Sequence, residues 1–255
     1  MNSTTLPEPA EVKRTDARGL QLLGIWLAGG WRLFRRAPLR LFGLMLLLFT
    51  IEGLTQWFVP LVGIPFSKWL VGILSSVLWL VLVQVNDCGQ LRLGRAFRGV
   101  GGQWPAVAGL AGVLMLAYAM QVACAYLIMG PAAIDLLVFA EASSAPSGTA
   151  PSLNQFQLAL VLSSGIPLST LLMFAAPLVL IQRQRLIQAL GFSVRMVVQN
   201  LTAMTLLALL MITLIFLVPF TFMLSVLLTG PWLICVSFVA FQTLHARHDP
   251  KPFDG

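Results

Sequence analysis

From Met196 to Ala246 the chain carries no Asp, Glu, Lys or Arg, and two more such intervals, Gly99 to Ile134 and Ala142 to Gln182, precede it. A helix on the surface of a soluble domain alternates an apolar stripe with a charged face, so uninterrupted stretches of this length have no place there. A bilayer core about 30 Å thick is crossed by about 20 apolar residues, because each helical residue advances about 1.5 Å. The first two intervals each hold one span, and the last holds two. With 58% hydrophobic residues, 10% charged ones and a mean hydropathy of +0.88, the whole chain lies outside the range of soluble domains.

Two more apolar stretches, Leu39 to Phe58 and Trp69 to Val85, flank the short Pro60 to Pro65 turn. The expectation is an all-α polytopic membrane bundle of six transmembrane helices, at about 39–58, 67–86, 105–129, 156–181, 201–218 and 221–243. Pro219, which lacks an N–H, divides the last pair; Gly230-Pro231 offers an alternative break inside the sixth helix. One membrane domain, 18–245, is expected between a disordered cytoplasmic N-terminus (1–17) and a cytoplasmic tail (246–255). The Ser- and Pro-containing interval Ala140 to Asn154 reads as a flexible extracytoplasmic loop.

Fifteen of the sixteen Lys and Arg fall in segments on one side of these spans, and only Lys68 falls on the other. By the positive-inside rule both termini are cytoplasmic, which requires an even number of spans. The net charge of +7 is therefore an orientation signal, and no nucleic-acid partner is inferred from it. No cleaved signal peptide is expected, because Leu20 to Trp31 is followed by Arg32, Arg35 and Arg36 in place of a small-residue cleavage site. Cys88, Cys124 and Cys235 are scattered and read as small apolar residues, so neither a disulfide framework nor a metal site is expected.

The cytoplasmic segments predict basic amphipathic elbows. Along 185–199, Leu186, Ile187, Leu190, Val194, Val197 and Val198 share about a third of the helical circumference, opposite Arg185, Gln188, Arg195 and Gln199. Such a helix lies in the interface, where each basic residue near anionic lipid contributes about 1 kcal/mol. A second interfacial helix is expected at 19–36, with Trp26 and Trp31 suited to the headgroup zone, and a shorter elbow runs from Leu91 to Trp104. Arg32, Arg35, Arg36, Arg95, Arg98, Arg185 and Arg195 are the candidate headgroup contacts. Each elbow precedes a helical hairpin, which reads either as a threefold repeat or as ordinary alternation of topology.

Gly30-Trp31-Arg32-Leu33-Phe34-Arg35-Arg36-Ala37-Pro38 and Phe174-Ala175-Ala176-Pro177-Leu178-Val179, followed by Gln188-Ala189, Ser193 and Asn200, carry a resemblance. The pattern resembles uncharacterised bacterial multi-pass inner-membrane families and is loosely similar to the membrane domain attached to some glycerophosphodiester phosphodiesterases. It covers most of residues 18–245. The resemblance implies an integral module of a bacterial envelope, with no catalytic residues to carry over.

Glu52 is the one acidic residue well inside a span, with Gln56 one turn later and Gln121 in the third span as a further polar neighbour. An ionisable group at membrane depth invites a functional reading, here a proton or substrate site. The alternative is that Glu52, about 18 Å along the helix from Arg40, lies near the outer surface, where it either pairs with Lys68 or is solvated. Asn86 and Asp87 read as a polar cap paired with Arg92 or Arg95. His245 and His248, spaced i, i+3, read as part of a solvated tail; with no other histidine, a base-assisted hydrolase site has no candidates. Gly99-Val100-Gly101-Gly102 lacks the Lys-Ser or Lys-Thr of a phosphate loop and loosens the second elbow. Pro167 and Pro177 interrupt the fourth span, which either bends it for packing or exposes carbonyls to a ligand.

The sequence thus points to a non-enzymatic scaffold or accessory subunit, without a cofactor, contacting anionic phospholipid and a membrane-protein partner in a bacterial inner membrane. A small transporter or channel for a lipid or amphiphile using Glu52, and an immunity protein against a pore-forming toxin, are the alternatives.

Overall fold

The computed structural model describes residues 19–59, 62–138 and 153–248, and all their regular structure is helical. The expected N-terminal segment 1–17, most of the 140–154 loop and most of the tail lie outside the described residues. The helices are α1 (Gly19–Phe34), α2 (Pro38–Phe58), α3 (Gly63–Cys88), α4 (Leu93–Val100), α5 (Trp104–Met129), α6 (Ala132–Leu137), α7 (Gln155–Ser164), α8 (Ile166–Leu172), α9 (Ala175–Leu180), α10 (Leu186–Gln199), α11 (Leu201–Phe216) and α12 (Leu224–His248). Prolines at the starts of α2, α5 and α8 occupy positions where the missing N–H costs nothing.

Five segments are long and apolar enough to cross a bilayer: Pro38–Phe58, Gly63–Cys88, Leu93–Met129, Gln155–Leu180 and Leu224–Arg247. A sixth is counted if α10 and α11, which meet at 98°, form one broken span. Alone, α11 has 16 residues and reaches about 24 Å. The chain is thus a polytopic α-helical membrane bundle.

Packing neighbours run in a ring: α1, α12, α2, α3, α5, the α7–α9 segment, α11 and back to α1. The α1 helix belongs to this ring. Its Leu22, Trp26, Gly29, Gly30 and Leu33 are buried, and Trp26, expected near the headgroups, is completely enclosed. The reason is the close approach permitted by two glycines. A Cβ on Gly30 would lie 2.5 Å from Val236 Cγ2 and 2.7 Å from the Val236 backbone, and one on Gly29 would lie 2.8 Å from Val239 Cγ1.

The fourth span is interrupted twice. Gly165 separates α7 from α8, whose Pro167 follows at once, and Met173-Phe174 separates α8 from α9. Between α11 and α12 the chain turns over residues 217–223, longer than the tight connection expected at Pro219, with Phe222 and Met223 at positive φ. Pro231 does not break α12, which continues through it. His245 lies in that helix, 4% exposed and stacked on Phe241 with ring centroids 5.5 Å apart, so its place in a solvated tail is corrected. Its ring follows Phe238 and Phe241 along one side of α12, and burial at that face decides its environment.

Candidate functional site

Glu52 is positioned by the α2–α3 hairpin. Gly63 lets the α3 backbone approach α2 closely, since a Cβ there would sit 3.0 Å from Gln56 O. Lys68, one turn into α3, then forms an ion pair with Glu52 Oε1. Gln56 Nε2 donates to Glu52 Oε1 at 3.4 Å and to Ser67 Oγ at 3.0 Å, while Ser67 donates to Ile64 O at 2.8 Å. The Glu52 side chain is 16% exposed and that of Lys68 is 38% exposed. The carboxylate is therefore paired with a lysine, and its Oε1 meets two donors, Lys68 Nζ and Gln56 Nε2.

Gln121 is engaged elsewhere. Its Nε2 donates to Leu162 O at 3.0 Å, tying α5 to α7 just before the Gly165 interruption. Gly165 makes this contact close, because a Cβ on it would lie 2.7 Å from Ala117 O. The three residues grouped by the sequence divide into an ion-pair cluster and a helix staple.

The opposite end collects the arginines. Arg36 Nη1 donates to Asn86 O at 2.5 Å, joining the α1–α2 corner to the C-terminus of α3. Arg36, rather than Arg92 or Arg95, is the basic group that reaches this cap; Asn86 Nδ2 donates to Asp87 Oδ1 at 3.1 Å, and the Arg92 backbone N–H donates to Gln84 Oε1 at 3.2 Å. Arg183, held at φ +55°, donates to Gly99 O at 2.8 Å and to Val100 O at 3.3 Å, fastening the α9–α10 link onto α4. Arg32, Arg35, Arg36, Arg95, Arg98, Arg185 and Arg195 are all exposed. Beside them Phe97 and Trp104 stack with centroids 6.1 Å apart and remain partly exposed.

The circumference of α10 is divided three ways. Ala189, Ser193, Met196 and Val197 are buried against α8 and α9; Ile187, Val194 and Val198 are exposed and apolar; Gln188, Arg195 and Gln199 are exposed and polar. The apolar third read from the sequence is thus shared between bundle and surroundings, and two small residues, Ala189 and Ser193, line the packed face. Ser193 was absent from the expected site. Its Oγ accepts the Phe174 N–H at 3.2 Å and donates to Leu171 O at 2.8 Å, satisfying backbone that the α8–α9 interruption leaves without helical partners. Spacing by four with Ala189 and Val197 is the signal that places Ser193 inward.

Together these features define a polytopic helical membrane protein with an ion-paired polar cluster at one end and an exposed basic, partly aromatic surface at the other. Among the described residues no group of three His, Cys, Asp or Glu is placed to hold a metal ion. No protein-family model, curated protein or solved structure matches the chain.

Proposed function

We propose that the chain is a non-enzymatic scaffold or accessory subunit of a bacterial inner membrane, with its basic end cytoplasmic and in contact with anionic phospholipid. The carrying observation is the three-way division of α10. Ile187, Val194 and Val198 form an exposed apolar stripe beside Arg195, while the third face is packed against the bundle. A helix with these faces sits where acyl chains, headgroup phosphates and protein meet. The transporter alternative needs Glu52 to exchange protons or ions. Its pairing with Lys68 and Gln56 favours an architectural role for the carboxylate instead.

The test is lipid selection by the purified protein. Mass spectrometry of the lipid retained from mixed zwitterionic and anionic bilayers is expected to show enrichment of anionic lipid, and Arg185→Gln with Arg195→Gln is expected to weaken that enrichment about fivefold per arginine. Equal retention of both lipid classes, or substrate flux through vesicles containing the protein alone, would overturn the reading.

A further inference from the structure

Where α3, α5, the α8–α9 interruption and α12 face one another, they leave a cleft of about 210 Å³ inside the ring. Its lining is mainly apolar, with Leu110 and Met173 in the walls and Trp79 at one side, yet it includes three serines, Ser75, Ser76 and Ser237. A closely packed bundle has few voids of this size. An apolar cavity of about 150 Å³ already admits a benzene-sized guest. This one adds hydroxyl groups on two different helices.

Each hydroxyl proton is already directed to backbone. Ser75 and Ser76 donate to Gly72 O at 3.1 Å and 2.8 Å, and Ser237 donates to Leu233 O at 3.0 Å. The lone pairs of the three oxygens are their remaining hydrogen-bonding capacity, so the cleft offers acceptors. That chemistry sorts ligands. An anion meets no positive group in the lining, and a cation meets no carboxylate, so either would be charged at membrane depth without a counter-ion. A neutral molecule with an apolar body and one hydroxyl matches both the walls and the acceptors. From this geometry we infer that the cleft is a binding site for a small neutral amphiphile bearing an alcohol group.

Trp79 supplies the readout, because bromine quenches indole fluorescence on contact. Full-length protein in neutral phosphatidylcholine nanodiscs is titrated with bromohexanol, bromohexane or bromohexanoate, and the part of the quenching lost in Trp79→Phe is assigned to the cleft. Bromohexanol is expected to quench that part saturably, at about fivefold lower concentration in the bilayer than bromohexane once each is corrected for its partitioning, the difference made by one hydrogen bond. Bromohexanoate is expected to give no saturable component. Replacing Ser75, Ser76 and Ser237 together by Ala removes the advantage of the alcohol while keeping the space, and Ser237→Leu fills the space and abolishes both signals. Equal midpoints for alcohol and alkane, an advantage that survives the triple alanine change, or the absence of a saturable Trp79 component would each overturn the assignment.

Discussion

The hydroxyl of Ser193 on α10 receives the backbone N–H of Phe174 at 3.2 Å and thereby closes an interruption in a different helix, nineteen positions earlier in the chain. The two residues stand in separate motifs of the sequence. Their contact makes α10 a structural part of the fourth span.

Ser193→Ala is expected to leave the Phe174 N–H and Leu171 O inside the bundle without these partners, at a cost of about 2 kcal/mol. Ser169→Ala, at an exposed residue whose hydroxyl donates to Gly165 O one turn earlier, is the control and should change stability by less than about 0.5 kcal/mol. Unfolding titrations of both variants in mixed micelles measure the difference.

Gly30→Ala should destabilise the α1–α12 packing, because the new methyl group meets Val236 backbone that cannot move aside as a flexible side chain could. Gly24→Ala, on the same helix with nothing within 4 Å, should stabilise by about 0.5–1 kcal/mol through helix propensity. Opposite signs in thermal unfolding are the expected outcome, and a loss of stability in both would show that α1 tolerates no added side chain.

The ion pair predicts an asymmetry between its partners. Lys68→Met leaves the more enclosed carboxylate without its cation, whereas Glu52→Gln leaves a lysine that can extend to water. The lysine change should therefore be the more destabilising by about 1 kcal/mol, and the double variant should recover part of that loss. If Glu52→Gln alone proves the more harmful, the carboxylate has a role beyond pairing.

The spans were legible because charge and hydropathy contrast sharply between membrane and water, and because proline marks helix starts and interruptions. Both breaks of the fourth span lie close to Pro167 and Pro177. What escaped the sequence was the rotation and depth of particular faces. Trp26 belongs to a residue type common at interfaces, yet two adjacent glycines draw α1 against α12 and enclose it. Ser193 and Ala189 have little hydrophobic weight, so their inward placement could not be read from an apolar arc. The Lys68 partner of Glu52 was legible, since both fall close to the same membrane boundary; the separate engagement of Gln121 depends on the helix break and was not.

Orientation can be read chemically through a native residue. Cys88 is exposed at the basic end, Cys235 is buried and Cys124 is half-buried. A membrane-impermeant maleimide is expected to label Cys88 in inverted vesicles and to leave it unmodified in intact cells, with Cys88→Ser abolishing the signal. Labelling from the outside would reverse the topology.

The Ser193 bridge also orders the events of synthesis. Residue 193 follows the segment Gln155–Leu180 in the chain and leaves the ribosome after it, so the backbone around Leu171 and Phe174 receives this hydroxyl only from a later helix. The interruption in the fourth span is thus closed from outside that span, by a helix that comes after it, so this hydrogen bonding is complete only when both segments are in place.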